Sequence, residues 1–364
     1  MKLSIEELIK QLQNEVLKYT QGGDTAIHPY DITELLLEIR EEDEKVYLEE
    51  LAKFPHELKA LVMIELPRHC HEEIIERFTP NELADLTNTL DTDDAAELIR
   101  NIEEVDENIA EEVLQNLPHK DRKNLETLIS YGEYEAGSYM QTELFSAFID
   151  EQVGDSIRRL KRLKAKKELD SVYQVYIITR EKKFVGSIPL EDLILLGPNV
   201  NYGELVKEGV NAISVNAADD IHDVVEIASN YDMGVIPVVD SDSKLLGRIT
   251  SDDIYDIIEE RATGQLYNLA GVNDEAEQEE SLYYIGRYRA FWLGINLLTA
   301  IAASIVIGFF DTTLQSLVAL AVLMPIVASM GGNAGTQTLT VTVRQMALGD
   351  ISSDDAKKTI LKEV

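Results

Sequence analysis

The chain has 364 residues, too many for one ordinary core, and 45% of them are hydrophobic, so two or three folded domains are expected. A formal net charge of -34 repels nucleic acid phosphates and anionic lipid headgroups and attracts cations, which sets nucleic acid aside as a partner. The lone cysteine, Cys70, rules out an internal disulfide and suits a reducing cytosol; the opening MKLSIEELIK lacks the apolar core and cleavage site of a signal peptide. Acidity also keeps ordinary proteins soluble, so charge alone assigns no function.

Residues 31–130 read as short helices with repeated punctuation. Thr79-Pro80-Asn81-Glu82 is a capping box with proline at the first helical position, and Leu83, Leu86 and Leu90 then share one face. Asp91-Thr92-Asp93-Asp94 opens another helix, with Ala95, Leu98, Ile99 and Ile102 inward; Ile109, Val113 and Leu117 mark a third, before Pro118. Short helices stacked in this way predict a superhelix rather than a closed bundle. Arg68-His69-Cys70-His71-Glu72 invites a zinc reading, but adjacent residues of a helix do not converge, and a polar helix start is the simpler account.

From about Gly137 the pattern changes. Two β-rich bursts, VYQVYIIT (172–179) and MGVIPVVD (233–240), are each followed by a turn, a second strand and a helix, with Gly186 and Gly247 in matching places. Amphipathic helices precede each burst, over 153–163 and 221–229. Such an internal repeat should pack as a pseudo-symmetric pair, since one copy leaves a sheet face uncovered. A link follows, loose at Gly264, Gly271 and the acidic run 274–280, and then helical from Ser281, with Tyr283, Tyr284 and Tyr288 suited to a membrane interface. Between 291 and 343 the one charged residue is Asp311. Residues 291–310 match the roughly 20 needed to cross a bilayer as a helix. A second apolar stretch runs from Leu314 to about Met330, after a tight hairpin at Asp311 and Thr312. Arg287 and Arg289 before the first span, and Arg344 after the second, place both ends in the cytoplasm and Asp311 outside. No phosphate loop, nucleophile elbow or HExxH motif occurs, so no enzymatic constellation is expected.

Two motifs carry resemblances. The repeat resembles a tandem pair of CBS domains, and Gly247-Arg248-Ile249-Thr250-Ser251-Asp252-Asp253 is similar to the ribose-recognition turn of nucleotide-binding CBS modules, where Thr250 and Asp253 would both reach a ribose. Pro189 stands where the first copy would need its hydroxyl, so at most one adenine nucleotide (ATP) site is implied; a purely structural turn is the alternative. At the end of the second span, Gly331, Gly332 and Gly335 lie within five residues, beside Asn333, Thr336 and Gln337, with Arg344 and Gly349-Asp350 beyond. Glycines so placed break a transmembrane helix or allow close backbone approach, and neutral oxygens suit a hydrated hard cation. This stretch resembles the pore motif of the MgtE magnesium channel family, and the order of parts agrees from about residue 31 onward.

The resemblance implies a multidomain protein: an all-α superhelical N domain (1–136), an α/β tandem CBS pair (137–262, copies about 137–200 and 201–262), a connecting helix (263–290) and a partial transmembrane domain of two spans (291–364). It implies a homodimer in the cytoplasmic membrane, with its N-terminal domains in the cytoplasm, a pore between subunits, and Mg²⁺ as both cargo and regulator. The sensing positions it implies are Glu73, Asp93, Glu97, Asp232, Asp253 and Asp256, with Gly331, Gly332, Asn333, Gly335, Thr336 and Gln337 lining the pore. From the residues themselves, Asp93 and Glu97 share one helix face, as do Asp253 and Asp256, and a divalent ion would turn their repulsion into attraction. Replacing Asp93, Asp232 and Asp253 by Asn is then expected to raise the magnesium needed to protect the cytosolic part from proteolysis. Arg261, Gly264 and Gln265 stand where the family often has further acidic ligands, which leaves the number of sensing ions open and points to a lower affinity. The family's membrane domain has five helices, and its late pore aspartate falls beyond Val364, so a partial sequence is expected. The rival readings are a membrane-tethered CBS regulator that transports nothing, and transport of Co²⁺, Ni²⁺ or Mn²⁺, which oxygen donors disfavour.

Overall fold

Local chemistry sets the helix boundaries of the acidic N-terminal region. The computed structural model describes residues 4–21, 27–166, 169, 171–270 and 282–347. It begins with α1 (Ile5–Gln21), α2 (Pro29–Glu42), α3 (Glu44–Ala52), α4 (His56–Glu65), α5 (His71–Arg77), α6 (Pro80–Thr87), α7 (Thr92–Val105), α8 (Glu107–Asn116) and α9 (His119–Ile129). Thr79 and Glu82 close the predicted capping box of α6, with Pro80 at its first turn. Asp43 and Asp106 each end one helix and cap the next, accepting from two backbone N–H groups, which is why α2–α3 and α7–α8 are joined by a single residue. Helices near in sequence pack on one another, α2 on α4, α4 on α6, and α6 on α8, in an open superhelical succession.

The repeat folds as two like sheets. The first holds β1 (Ser146–Phe148), β2 (Gln174–Ile178) and β3 (Phe184–Pro189); the second holds β4 (Val215–Asn216), β5 (Val235–Val239) and β6 (Leu245–Thr250). In each, the first strand is parallel to the second and the second antiparallel to the third. A parallel neighbour requires a crossover, here α10 (Val153–Ala165) and α13 (Ile221–Asn230), the two amphipathic helices read from the sequence. Gly186 pairs with Ile177 and Gly247 with Val238, and both sheets carry their irregularity one residue later. The copies meet where Phe184 N donates to Ser243 O (2.8 Å) and Leu245 N to Lys182 O (3.0 Å). The leading strands β1 and β4 escaped the sequence reading, since three and two residues are too short to show alternation. After β3 and β6 come α11 (Leu190–Leu195) and α14 (Ser251–Ala270), and α12 (Tyr202–Glu208) precedes β4.

The chain divides into two compact units, Met1–Ile258 and Glu259–Val364. Within the first, the core ignores the change of pattern at 136. Leu12, Ile39, Leu58, Ile99 and Ile102 of the N-terminal helices belong to the same buried cluster as Val224, Val238, Ile249 and Ile254 of the second CBS copy. The first copy has its own core, around Phe145, Val153, Val175, Ile177 and Tyr202. The helical region is therefore docked on one half of the repeat.

In the second unit, α15 (Leu282–Phe309), α16 (Asp311–Ser316) and α17 (Val318–Ala347) follow one another. Among the described residues one helical stretch, Arg289–Phe309, is long and apolar enough to cross a membrane. It leaves Phe291, Leu293, Leu297, Ile305 and Phe309 exposed, a surface that suits lipid rather than water. Three expectations change here. Helix α14 runs through Gly264, where a loose link was expected. A short helix, not a bare turn, holds Asp311 and Thr312; its first-turn carboxylate accepts from Gln315 Nε2 at 2.7 Å. And α17 continues unbroken through Pro325, Gly331, Gly332 and Gly335. A helix interior glycine costs only about 1 kcal/mol relative to alanine, far less than freeing backbone groups in lipid. Gly271, the acidic run 274–280, Ser281, Gly349-Asp350, the chain end at Val364 and the side chains of Tyr283, Tyr284 and Tyr288 lie outside the described residues.

Candidate divalent-cation site

The first turns of α7 and α14 carry the carboxylates. Asp91 sits at the N-cap of α7 but does not cap it with its side chain. Its Oδ2 instead accepts from Gln141 Nε2 at 2.7 Å. Thr92, next along, bonds through its N and Oγ1 to Glu143 Oε2 at 3.3 and 2.9 Å. The start of α7 is thereby tied to the segment that leads into β1. Asp93 and Asp94 follow at the positive end of the helix, where negative charge is favoured. On α14, Asp253 Oδ2 accepts from Thr250 N (3.2 Å) and Thr250 Oγ1 (3.0 Å).

These helix ends place like charges together. Burial first, then the charge of Asp253 and those of Asp94 and Asp91, hold Asp93 well above the usual carboxylate range. Asp94 is pushed up to about 7 by burial and by the charges of Asp253, Glu97, Asp91 and Asp252. Asp253 is also pushed up to about 7, by burial and by Asp252 and Asp256, against the lowering effect of the Thr250 hydrogen bonds. Asp93 Oδ1 is buried with no hydrogen-bond partner. A buried carboxylate oxygen without a donor is costly, and a hydrated cation would satisfy it. Among the described residues no three His, Cys, Asp or Glu side chains converge at direct metal-ligand spacing.

The implied sensing residues separate into two groups. Asp93 feels the charge of Asp253, Asp253 that of Asp256, and Glu97 acts on the neighbouring Asp94. Glu73 does not join them: its two oxygens take Arg40 Nε (3.0 Å) and Nη2 (2.5 Å), an ion pair that holds α5 to α2. Asp232 is exposed in the turn after α13, with a left-handed φ of 50°. Thr250 is buried and bonded to Asp253, so the pair implied for ribose recognition is closed on itself. Asp94, Asp252 and Asp91 were missed as site residues. The spacing of Asp94 three before Glu97 was the available signal; the approach of α14 to α7 was not. Residues Gly331 to Gln337 lie along α17, where a Cβ built on any of the three glycines meets nothing within 4 Å.

Three sequence families match the chain: the MgtE intracellular N domain over residues 27–134, the CBS domain over 206–260, and a divalent cation transporter domain over 324–364. The magnesium transporter MgtE of Thermus thermophilus is 28% identical over 373 residues, covering 99% of this chain and 80% of the relative. That of Enterococcus faecalis is 33% identical over 240 residues, 66% of this chain and about half (52%) of the relative. A crystal structure of the cytosolic domain of the Mg²⁺ channel MgtE in complex with ATP matches with a TM-score of 0.58 and 26% identity, covering 67% of this chain and 98% of that one. A helical acidic domain, a CBS pair and an apolar helix of spanning length, in this order, define a membrane protein with cytosolic domains, of the divalent cation transporter class. Over nearly its whole length the chain is similar to an MgtE magnesium transporter, and it matches the MgtE N-domain and divalent cation transporter models.

Proposed function

We propose that the chain transports Mg²⁺ across the cytoplasmic membrane and that its cytosolic domains sense intracellular Mg²⁺. The observation that carries this reading is the carboxylate cluster spanning α7 and α14. Without a cation it pushes the helical domain away from the second CBS copy; a hydrated Mg²⁺ there reverses the sign. The docked form gains only to the extent that it holds the ion more tightly than the undocked form does. In this reading the divisions at about 136, 262 and 290 separate sensor, CBS pair, connector and membrane part. The chain is multi-pass, with Asp311 outside, and works as a homodimer without covalent chemistry. Helix α17 lines the path through Asn333 and Gln337, which share a face, and through Gly331, Gly332, Gly335 and Thr336, whose small or neutral groups admit a hydrated cation. Adenine nucleotide is a second input, at the price of exchanging the Thr250–Asp253 bonds for bonds to a ribose.

The test is Mg²⁺ uptake in cells that lack their own magnesium uptake systems. Expression of the gene with its natural downstream sequence restores growth at low Mg²⁺, and substitution of Asp93, Asp94 and Asp253 alters how cytosolic Mg²⁺ shuts the uptake off. Absence of uptake together with intact Mg²⁺ binding would favour the tethered regulator instead.

A further inference from the structure

Beneath the acidic cluster lies a buried cation. Arg248 of β6 is only 2% exposed. Its Nε and Nη2 both donate to Gln141 Oε1, at 2.9 and 2.5 Å. Gln141 Nε2 donates in turn to Asp91 Oδ2 at 2.7 Å. The amide is thus oriented from both ends, its carbonyl toward the cation and its NH₂ toward the anion. Tyr173 lies 5.5 Å from the guanidinium, ring face toward it. The main chains of the two residues also pair, Gln141 N to Arg248 O at 2.8 Å and Arg248 N to Gln141 O at 2.9 Å. Asp91, the far end of this relay, is one of the charges that raise Asp93 and Asp94.

We propose that Arg248, acting through Gln141 and Asp91, is a positioning residue that sets the Mg²⁺ level at which the helical domain docks on the second CBS copy. The inference rests on the reading of the carboxylate cluster as the Mg²⁺ sensor. A fixed positive charge on the CBS side, linked through a polarised amide to the first carboxylate of α7, supplies part of the counter-charge that the ion supplies. It also holds the N-terminus of α7, and with it Asp93 and Asp94, against α14. Docking is therefore partly retained when Mg²⁺ is scarce, and less Mg²⁺ completes it. Hydrogen bonds to a buried charge are strong enough to matter on this scale.

The experiment uses the full chain in membranes or detergent, with protease cleavage between α9 and β1 followed against Mg²⁺, starting from chelator alone. Arg248→Met removes the charge at similar length. The double variant Gln141→Leu with Arg248→Met replaces the relay by an apolar pair while leaving the main-chain bonds, so it folds even where a single variant is strained. Both are expected to raise the Mg²⁺ midpoint about three- to tenfold, within the usual range of coupling between sites. Melting of the double variant should stay level or rise, because apolar groups often replace buried charges without loss. Arg248→Lys, which keeps the charge, should recover part of the shift; a merely structural role predicts no such recovery. A Mg²⁺ response with the same midpoint in wild type and variants overturns the relay and leaves the sensing reading intact. A wild type with no Mg²⁺ response, but with faster cleavage of the variants in chelator, overturns sensing and keeps the relay as a docking latch. No difference in either readout overturns both.

Discussion

Burial and neighbouring carboxylates disfavour the charged forms of Asp94 and Asp253 and push each up to about 7. A carboxyl group whose pKa is raised in the docked form contributes stability below its ordinary value near 4 and loses it as pH rises to about 7. Metal-free chain should therefore resist cleavage between α9 and β1 better at pH 6 than at pH 8. Saturating Mg²⁺, which holds the carboxylates charged, should flatten that dependence, and protons should compete with Mg²⁺ at the acidic end. Proteolysis at both pH values, with chelator and with Mg²⁺, checks this. The geometry also revises one expectation. Because the cluster repels itself, Asn at Asp93, Asp94 and Asp253 removes repulsion as well as ligands. Such a variant should be protected even in chelator and respond little to Mg²⁺. Asn at the exposed Asp232 should leave the curve in place.

At the scale of elements, caps and close approaches dominate. Thr79→Ala opens the box that starts α6 and should cost about 1 kcal/mol, read as a lower melting temperature with the Mg²⁺ midpoint unchanged. Gly247 is different, because a Cβ there would lie 2.7 Å from the carbonyl oxygen of Gln141, a backbone atom that must shift. Gly247→Ala should cost roughly 2 kcal/mol, and it should also displace the segment that carries Gln141. It is therefore expected to lower the melting temperature and to raise the Mg²⁺ midpoint together, which separates it from the cap variant.

For the whole molecule, the exposed apolar surface of Arg289–Phe309 suits lipid. An acidic residue in its middle, Ala302→Asp, should weaken insertion by roughly 3 kcal/mol and shift the chain from the carbonate-resistant to the extractable membrane fraction. The first unit owes its cohesion to a core that passes from the N-terminal helices into the second CBS copy. That shared core puts the carboxylates of α7 near those of α14, and makes their repulsion a force between domains rather than a local strain.

Much of this was legible in the order of residues. The capping box at Thr79, the periodic leucines, the paired β bursts with Gly186 and Gly247, and the uncharged run from 291 each follow from short-range rules of capping, alternation and solvation, which act within a few residues of the chain. Asp93 and Asp253 could be named, but not joined, because they are far apart in the chain and no local pattern records that α14 approaches α7. For the same reason the pairing of Glu73 with Arg40 leaves no local trace, and Arg248 and Gln141 read as ordinary polar residues of a strand and a loop. The sequence by itself determined the elements, their order and the excess of negative charge. Only the tertiary structure decided which charges face one another and which buried cation answers them, because electrostatic energy depends on distance and burial through space, not on separation along the chain.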